Sequence, residues 1–143
     1  MAADRRQRLL AQVSRLREIE HRAAAVVAAA AIEEAQRKER VAARARALAD
    51  GAASAEGARV GQDLVLGARA GLGLRDMARA CVQHADSARM AAKARLEEER
   101  QARRRLDLLQ EQGRTLAKAD REARETRQSE GIATDIRRNW HVS

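Results

Sequence analysis

The residues of this chain that could perform metal or acid–base chemistry are few and widely separated. The histidines are His21, His84 and His141, and the single cysteine is Cys81. A metal site on helices needs ligands one turn apart on one face, or ligands that converge from neighbouring elements. His84 and Cys81 are three residues apart, but two ligands do not close a site. We therefore interpret these side chains as packing residues and predict no metal and no other cofactor.

A glycine pair at Gly71-Leu72-Gly73 has part of the spacing of a nucleotide-binding loop. The sequence around it predicts no preceding strand, and it contains no third glycine at the right offset and no Gly-Lys-Ser/Thr. Catalysis also needs converging groups in a pocket that excludes water. No Ser/His/Asp set and no pair of carboxylates stands out, so the sequence predicts a protein that is not an enzyme.

The charge of the chain raises the question of nucleic acid. The net charge is +8, and the basic residues are 26 arginines and three lysines. Such a surface attracts nucleic acid, anionic lipid or an acidic protein. The arginines are spread along the chain and interleaved with acids, and one tryptophan is the only aromatic residue available for stacking on bases. We therefore expect salt-sensitive, non-specific contact and no specific nucleic-acid partner, and a basic nucleic-acid-binding protein is the least favoured of the alternative functions.

The pattern that organises the chain is a heptad repeat. From Leu74 to Ala123 the residues at alternating spacings of three and four are mostly apolar or small, and the chain has no proline. This period is typical of a long helix that packs on a partner helix. The positions in that second half are Leu74, Met77, Cys81, His84, Ala88, Ala91, Arg95, Glu98, Ala102, Arg105, Leu109, Gln112, Leu116, Ala119 and Ala123. In the first half, heptad-compatible positions are Leu9, Val13, Leu16, Ala23, Val27, Ala30, Val41 and Leu48.

Two heptad segments separated by a glycine-rich stretch predict an all-α fold, a single antiparallel two-helix coiled-coil hairpin forming a long rod. We place helix one at about 4–49, the turn at about 51–57, helix two at about 58–130 and a tail at 131–143. Asp50-Gly51 provides a stop signal, and Ser54 can cap the next helix. The alternative is a turn near residue 67, with Val26 and Val27 opposite 106–109 and Leu16 near Leu116.

The chain is expected in the cytoplasm. The apolar run from Ala23 to Ile32 is too short to span a bilayer, and the acidic residues before it argue against a signal peptide. A single cysteine fits a reducing compartment and excludes a disulfide framework within the chain.

Two surfaces are candidates for binding a protein partner, since exposed apolar residues rimmed by charge are typical docking surfaces. The competing interpretation is that all of these residues are ordinary seam residues. The first surface, where glycines bend the start of helix two, consists of Leu72, Met77, Cys81 and His84. The second, which we expect to lack a partner within the chain, consists of Arg103, Arg104, Arg105, Leu108, Leu109 and Leu116.

Several stretches together resemble the FliJ family of flagellar type III export proteins, over nearly the whole chain. They are the run Arg-Leu-Leu-x-x-Val-x-x-Leu-Arg-Glu at 8–18, the glycine-containing turn and the longer second helix. The run that begins Leu106-Asp107-Leu108-Leu109-Gln110 and continues to Glu125-Thr126-Arg127, and then the residues 132–138, are similar to the ending of that family.

The resemblance implies a non-enzymatic, stalk-like component of the flagellar export apparatus, similar to the central coiled coil of rotary ATPases. It further implies partners in the export ATPase hexamer, the export gate and the chaperones. Through them the chain would lie peripherally at the inner face of the cell membrane. The alternative is a generic coiled-coil scaffold that forms homo-oligomers through the same alanine-rich seam.

Overall fold

Every described residue of the computed structural model is helical. Helix α1 is Ala2–Glu56 and helix α2 is Gln62–Val142, with side chains described for residues 2–53 and 65–142. The absence of proline and the abundance of Ala, Arg, Glu and Leu favour such long helices. The two helices run antiparallel and pack on each other, so the all-α helical hairpin expected from the sequence is confirmed.

The predicted boundary of α1 is wrong. The helix continues through Gly51 and Ser54 to Glu56, so residues 51–56 do not form a turn and Ser54 belongs to α1. A helical glycine costs about 1 kcal/mol relative to alanine, and tertiary packing can outweigh that amount. Ala49 is buried and Ala52 is half-buried on either side of Gly51, which holds the helix past the stop signal. The rest of the predicted turn, Gly57, and the predicted start of helix two at 58 lie outside the described residues.

The predicted tail is also wrong, because α2 continues from Gly131 to Val142 without a break. Nothing lies within 4 Å of where a Cβ atom on Gly131 would be, so this glycine is not required by close packing. The surrounding residues are mostly good helix formers, and one helical glycine does not stop such a segment. Residues 121–142 are all exposed.

The contacts divide the chain into two compact units that contain parts of both helices. Unit 1 is Met1–His21 with Gln101–Ser143, and unit 2 is Arg22–Arg100. In unit 2 the two helices meet through a thin seam, in which Ala35 packs with Ala88 and Ala92. The buried and half-buried residues at spacings of three or four define the seam of unit 2. They are Ala24, Ala28, Ala31, Ala35, Lys38, Ala42, Ala45 and Ala49 on α1, and Gly67, Gly71, Leu74, Ala78, Cys81, Ala85, Ala88, Ala92, Leu96 and Glu99 on α2.

Unit 1 has a seam of the same kind with larger and more polar side chains. The amide of Gln7 donates to the carboxylate of Asp120 at 3.3 Å, which shows the antiparallel register directly. The buried and half-buried residues of this seam are Leu10, Ser14, Arg17 and His21 on α1, and Ala102, Leu106, Leu109, Gly113, Ala117 and Asp120 on α2. Leu106 is the only leucine among the ten buried apolar residues described, and the other nine are alanines. Burial is therefore shallow in both units.

The seam lies one residue away from the predicted seam along all of α1. Val27 is 45% exposed whereas Ala28 is 3% exposed, and the other predicted positions on α1 also precede a seam residue. On α2, Leu74, Cys81, Ala88, Ala102 and Leu109 were placed correctly. The intervening positions were not, and Met77, His84, Ala91 and Arg105 are exposed. In unit 2 small side chains let the two helices approach closely, and this close approach favours alanine over valine at the contact.

The register differs from both of the predicted alternatives. Ala45 and Ala49 pack with Ala78 in unit 2, which a turn centred at 51–57 does not allow because it would bring Ala45 opposite the start of α2. In unit 1 the hydrogen bond from Gln7 to Asp120 puts Leu116 opposite about Ala11, whereas a turn near 67 would bring Leu16 near Leu116. The matching of the two small-residue seams sets the register, and the glycine signals do not.

Candidate docking surfaces

Each unit has two edges, one on either side of its seam. A helix turns by about 100° per residue, so the residue after a seam residue lies on one edge and the residue before it on the other. In unit 1, Ala11, Gln110 and Arg114 follow seam residues and together line a groove. In unit 2, Glu39, Arg46, Val82 and Arg89 do the same. We call this side of each unit the groove edge.

The groove edge of unit 2 is held by an ion pair between the helices. The guanidinium of Arg89 donates to the Glu39 carboxylate, with Nε–Oε1 at 2.9 Å and Nη2–Oε1 at 2.8 Å. Arg89 also lies 3.5 Å from Asp86 on its own helix. The hydrogen bond to Glu39, and the attraction of that carboxylate, raise the pKa of the Arg89 guanidinium above its usual range. The pair is half-exposed, so it links the two helices at this position but contributes little to stability.

The opposite side of each unit is apolar, and its residues precede seam residues. We call it the apolar edge. In unit 1 it consists of Leu9, Val13, Leu16, Leu108 and Leu116, which are 38–60% exposed, and in unit 2 of Val27, Val41, Leu48, Leu66 and Met77, which are 45–66% exposed. The predicted seam of α1 is therefore the part of this edge that α1 contributes. The heptad spacing identified these residues as members of a repeat, but it placed them in the seam between the helices.

The first predicted docking surface is not one surface. Leu72 follows the seam residue Gly71 and belongs to the groove-edge side, 58% exposed. Met77 and His84 precede seam residues and are exposed on the apolar edge. Cys81 is half-buried and packs against the cluster of Ala45, Ala49 and Ala78. The structure thus brings Met77 and His84 to one side and separates the other two from them.

The second predicted surface is divided in a similar way. Arg103, Arg104 and Arg105 are all exposed, but three successive residues spread over more than half of the helix circumference. Leu108 and Leu116 lie on the apolar edge of unit 1. Leu109 is half-buried in the seam of unit 1, where α1 packs on α2, so the expectation that it lacks a partner within the chain is wrong. The role of the remaining residues in binding a partner stays a prediction.

Ionic contacts among the described residues are mostly local pairs along one helix. Examples are Arg17 with Glu20 at 2.7 Å and Arg95 with Glu98 at 3.0 Å. Over residues 2–53 and 65–142, no cluster of three or more His, Cys, Asp or Glu side chains has the arrangement of a metal site. Within the described helices, no segment is apolar over the length that a bilayer crossing requires. What the surfaces offer chemically is apolar contact and positive charge.

Comparison with known proteins does not narrow the assignment, since no family model, no curated protein and no solved structure matches this chain.

Proposed function

We propose that this chain is a non-enzymatic coiled-coil adaptor of the flagellar type III export apparatus, binding the export ATPase, the export gate and chaperones. The observation that carries the proposal is the position of the larger aliphatic side chains. The helices pair through alanine in unit 2 and through a mixed seam in unit 1, and Leu9, Leu16, Leu48 and Met77 remain exposed. A hairpin that leaves such side chains outside offers apolar surface to other proteins.

The relative length of the helices also supports the proposal. Helix α2 has 81 residues and α1 has 55, and a longer second helix is one of the features in which the sequence resembles the FliJ family. The proposed location is the cytoplasm, peripherally at the inner face of the membrane through the export apparatus.

Self-association through the alanine seam is the weaker candidate. In unit 2 the second helix of the same chain already occupies the alanine seam, so a homo-oligomer would have to use another surface. This leaves the generic scaffold without the interface that the sequence suggested for it.

The test is a pull-down of the tagged full chain from its native cell at about 150 mM salt, with partners identified by mass spectrometry. Deletion of the gene in the same strain is the second arm. We expect recovery of a secretion ATPase or an export-gate subunit, and loss of swimming that the wild-type gene restores. Normal swimming in the deletion strain, or recovery of the chain alone, would contradict the export role.

A further inference from the structure

We propose that the apolar edge of unit 1 binds an amphipathic α-helix of another protein, with acidic residues beside the apolar face of that helix. The surface consists of Leu9, Val13, Leu16, Leu108 and Leu116. This inference names the kind of partner that the adaptor function requires and rests on that function.

The spacing of the surface selects a helix as the occupant. Leu9, Val13 and Leu16 are separated by four and then three residues, and Leu108 and Leu116 by eight. All five precede seam residues, so the two sets lie on the same side of the unit. Apolar residues repeated every 3.5 residues on average match the knobs of a partner helix and not those of a strand. A third helix lying along this edge would bury aliphatic side chains that are now 38–60% exposed.

The charge of the surface selects an acidic occupant. Unit 1 contains fifteen Arg and Lys residues against ten Asp and Glu residues, and so carries +5 of the net +8. Arg6 is one heptad before Val13, and Arg105 precedes the seam residue Leu106, which puts both on this edge. Among the described residues neither is in an ion pair. The acid at an equivalent place, Glu20, already accepts a hydrogen bond from Arg17 at 2.7 Å.

The same charges disfavour a second copy of this chain as the occupant. Pairing two unit 1 apolar edges would bring the arginines of one copy toward those of the other without new acidic partners. Like charges across an interface cost affinity, whereas complementary charges fix the choice of partner. The surface therefore fits a different protein with glutamate or aspartate flanking an apolar stripe.

The test uses the full chain and a synthetic peptide of about four heptads, with leucine at the two core positions and glutamate at the flanking positions. A matched peptide has lysine in place of those glutamates. Binding is measured by fluorescence anisotropy at about 150 mM salt. We expect the acidic peptide to bind about tenfold or more tightly than the basic one. Equal binding of both peptides, or binding of neither, would overturn the proposal.

Two variants and one control locate the site. Leu16→Glu is expected to weaken binding of the acidic peptide by about tenfold or more. Arg105→Glu should weaken the acidic peptide and strengthen the basic one. Ile132→Glu is the matched control, because Ile132 is 61% exposed and Leu16 is 60% exposed, yet Ile132 lies in the exposed end of α2. Circular dichroism checks that each variant keeps its helices. A control variant that loses binding as much as Leu16→Glu would overturn the assignment of the site.

Sedimentation of the free chain tests whether a second copy of this chain occupies the apolar edge of unit 1. A dimer that Leu16→Glu dissociates would show that a second copy covers the edge, and would overturn the proposal. The outcome is also distinguishable from failure of the export role. If the peptide does not bind but the ATPase is recovered from cells, the adaptor function stands and this surface is wrong. If the peptide binds but swimming is normal without the gene, the surface stands and the export role is wrong.

Discussion

Single residues decide which face of each helix is buried. The sequence shows two adjacent heptad stripes on α1, one that contains Val13, Val27 and Val41 and one that contains Ala28 and Ala35. Hydrophobicity alone ranks the valine stripe first, and the prediction followed that ranking. The structure buries the alanine stripe instead, since Ala28 is 3% and Ala35 6% exposed. The repeat could be predicted because spacing is visible in the sequence. Its phase could not, because it depends on how closely the other helix approaches.

The close approach predicts that a buried alanine tolerates no enlargement. Ala28→Leu is expected to lower the free energy of unfolding by about 1–3 kcal/mol, the usual cost of overpacking a tight contact. Ala29→Leu is the control, since Ala29 is exposed, and it should change stability by less than about 0.5 kcal/mol. Urea unfolding followed by circular dichroism measures both. Stabilisation by Ala28→Leu would show that the helices are not in close contact there.

The Arg89–Glu39 pair leads to a prediction about pH. A cation whose pKa is raised on folding contributes stability below its unfolded pKa and loses that contribution only as pH rises through the folded pKa. For Arg89 both the unfolded and the folded pKa lie above mildly alkaline pH. The loss of stability caused by Arg89→Gln should therefore be the same at neutral pH and at mildly alkaline pH, and should shrink with added salt. Thermal melts of both proteins across that pH range provide the check, and a loss that falls as pH rises would contradict the prediction.

At the scale of elements, the existence and type of the two helices could be predicted and their ends could not. The absence of proline and a heptad repeat sustained over tens of residues predict long helices. One unfavourable residue does not change that prediction. Stop signals at Gly51 and Gly131 are local, and each costs about 1 kcal/mol. Ala49 is buried and Ala52 is half-buried around Gly51, and tertiary packing of this kind can outweigh that amount. Local signals therefore misplaced the boundaries although the elements were right.

The helical state of Gly51 predicts whether Gly51→Ala raises or lowers the free energy of unfolding. If Gly51 ended α1 in a left-handed conformation, alanine there would be strained and destabilising. In the structure Gly51 is helical, with nothing within 4 Å of the position of an added Cβ. Gly51→Ala should therefore raise the free energy of unfolding by about 0.5–1 kcal/mol. Gly113→Ala, equally unobstructed, is the reference. Denaturant unfolding of both variants measures the change in stability. Destabilisation by Gly51→Ala would indicate that α1 ends at Gly51 and that the turn lies at 51–57.

At the scale of the whole molecule, the candidate surfaces were only partly predictable. Leu108, Leu116, Met77 and His84 were named from the sequence and are exposed. Their grouping was wrong because it followed neighbours along the chain. Which edge a residue lies on depends on its position relative to the seam. Leu9 and Leu16 belong to the apolar edge because each precedes a seam residue. A surface between two helices depends on phase and register, and neither is encoded in one local stretch.

The scattered positive charge of the chain predicts that its binding to nucleic acid depends strongly on salt. Binding of the chain to duplex DNA should be measurable by anisotropy at low salt and should disappear at about 150 mM salt, because released counterions are its only driving force. A sulfate-substituted polyanion such as heparin serves as the control and should show the same salt dependence. Affinity for DNA that persists at physiological salt would support a dedicated nucleic-acid role.

The two helices pair through their seams in the observed phase and register, through alanine in unit 2, and the aliphatic edge remains outside. Cysteine cross-linking in a Cys81→Ser background tests this pairing most directly. Ala35→Cys combined with Ala92→Cys should form an intramolecular disulfide rapidly, because both residues belong to one buried cluster. Ala35→Cys with Ala91→Cys should link much more slowly, since Ala91 is exposed one position out of phase. Equal or faster linking through position 91 would contradict the seam, and with it the apolar edge.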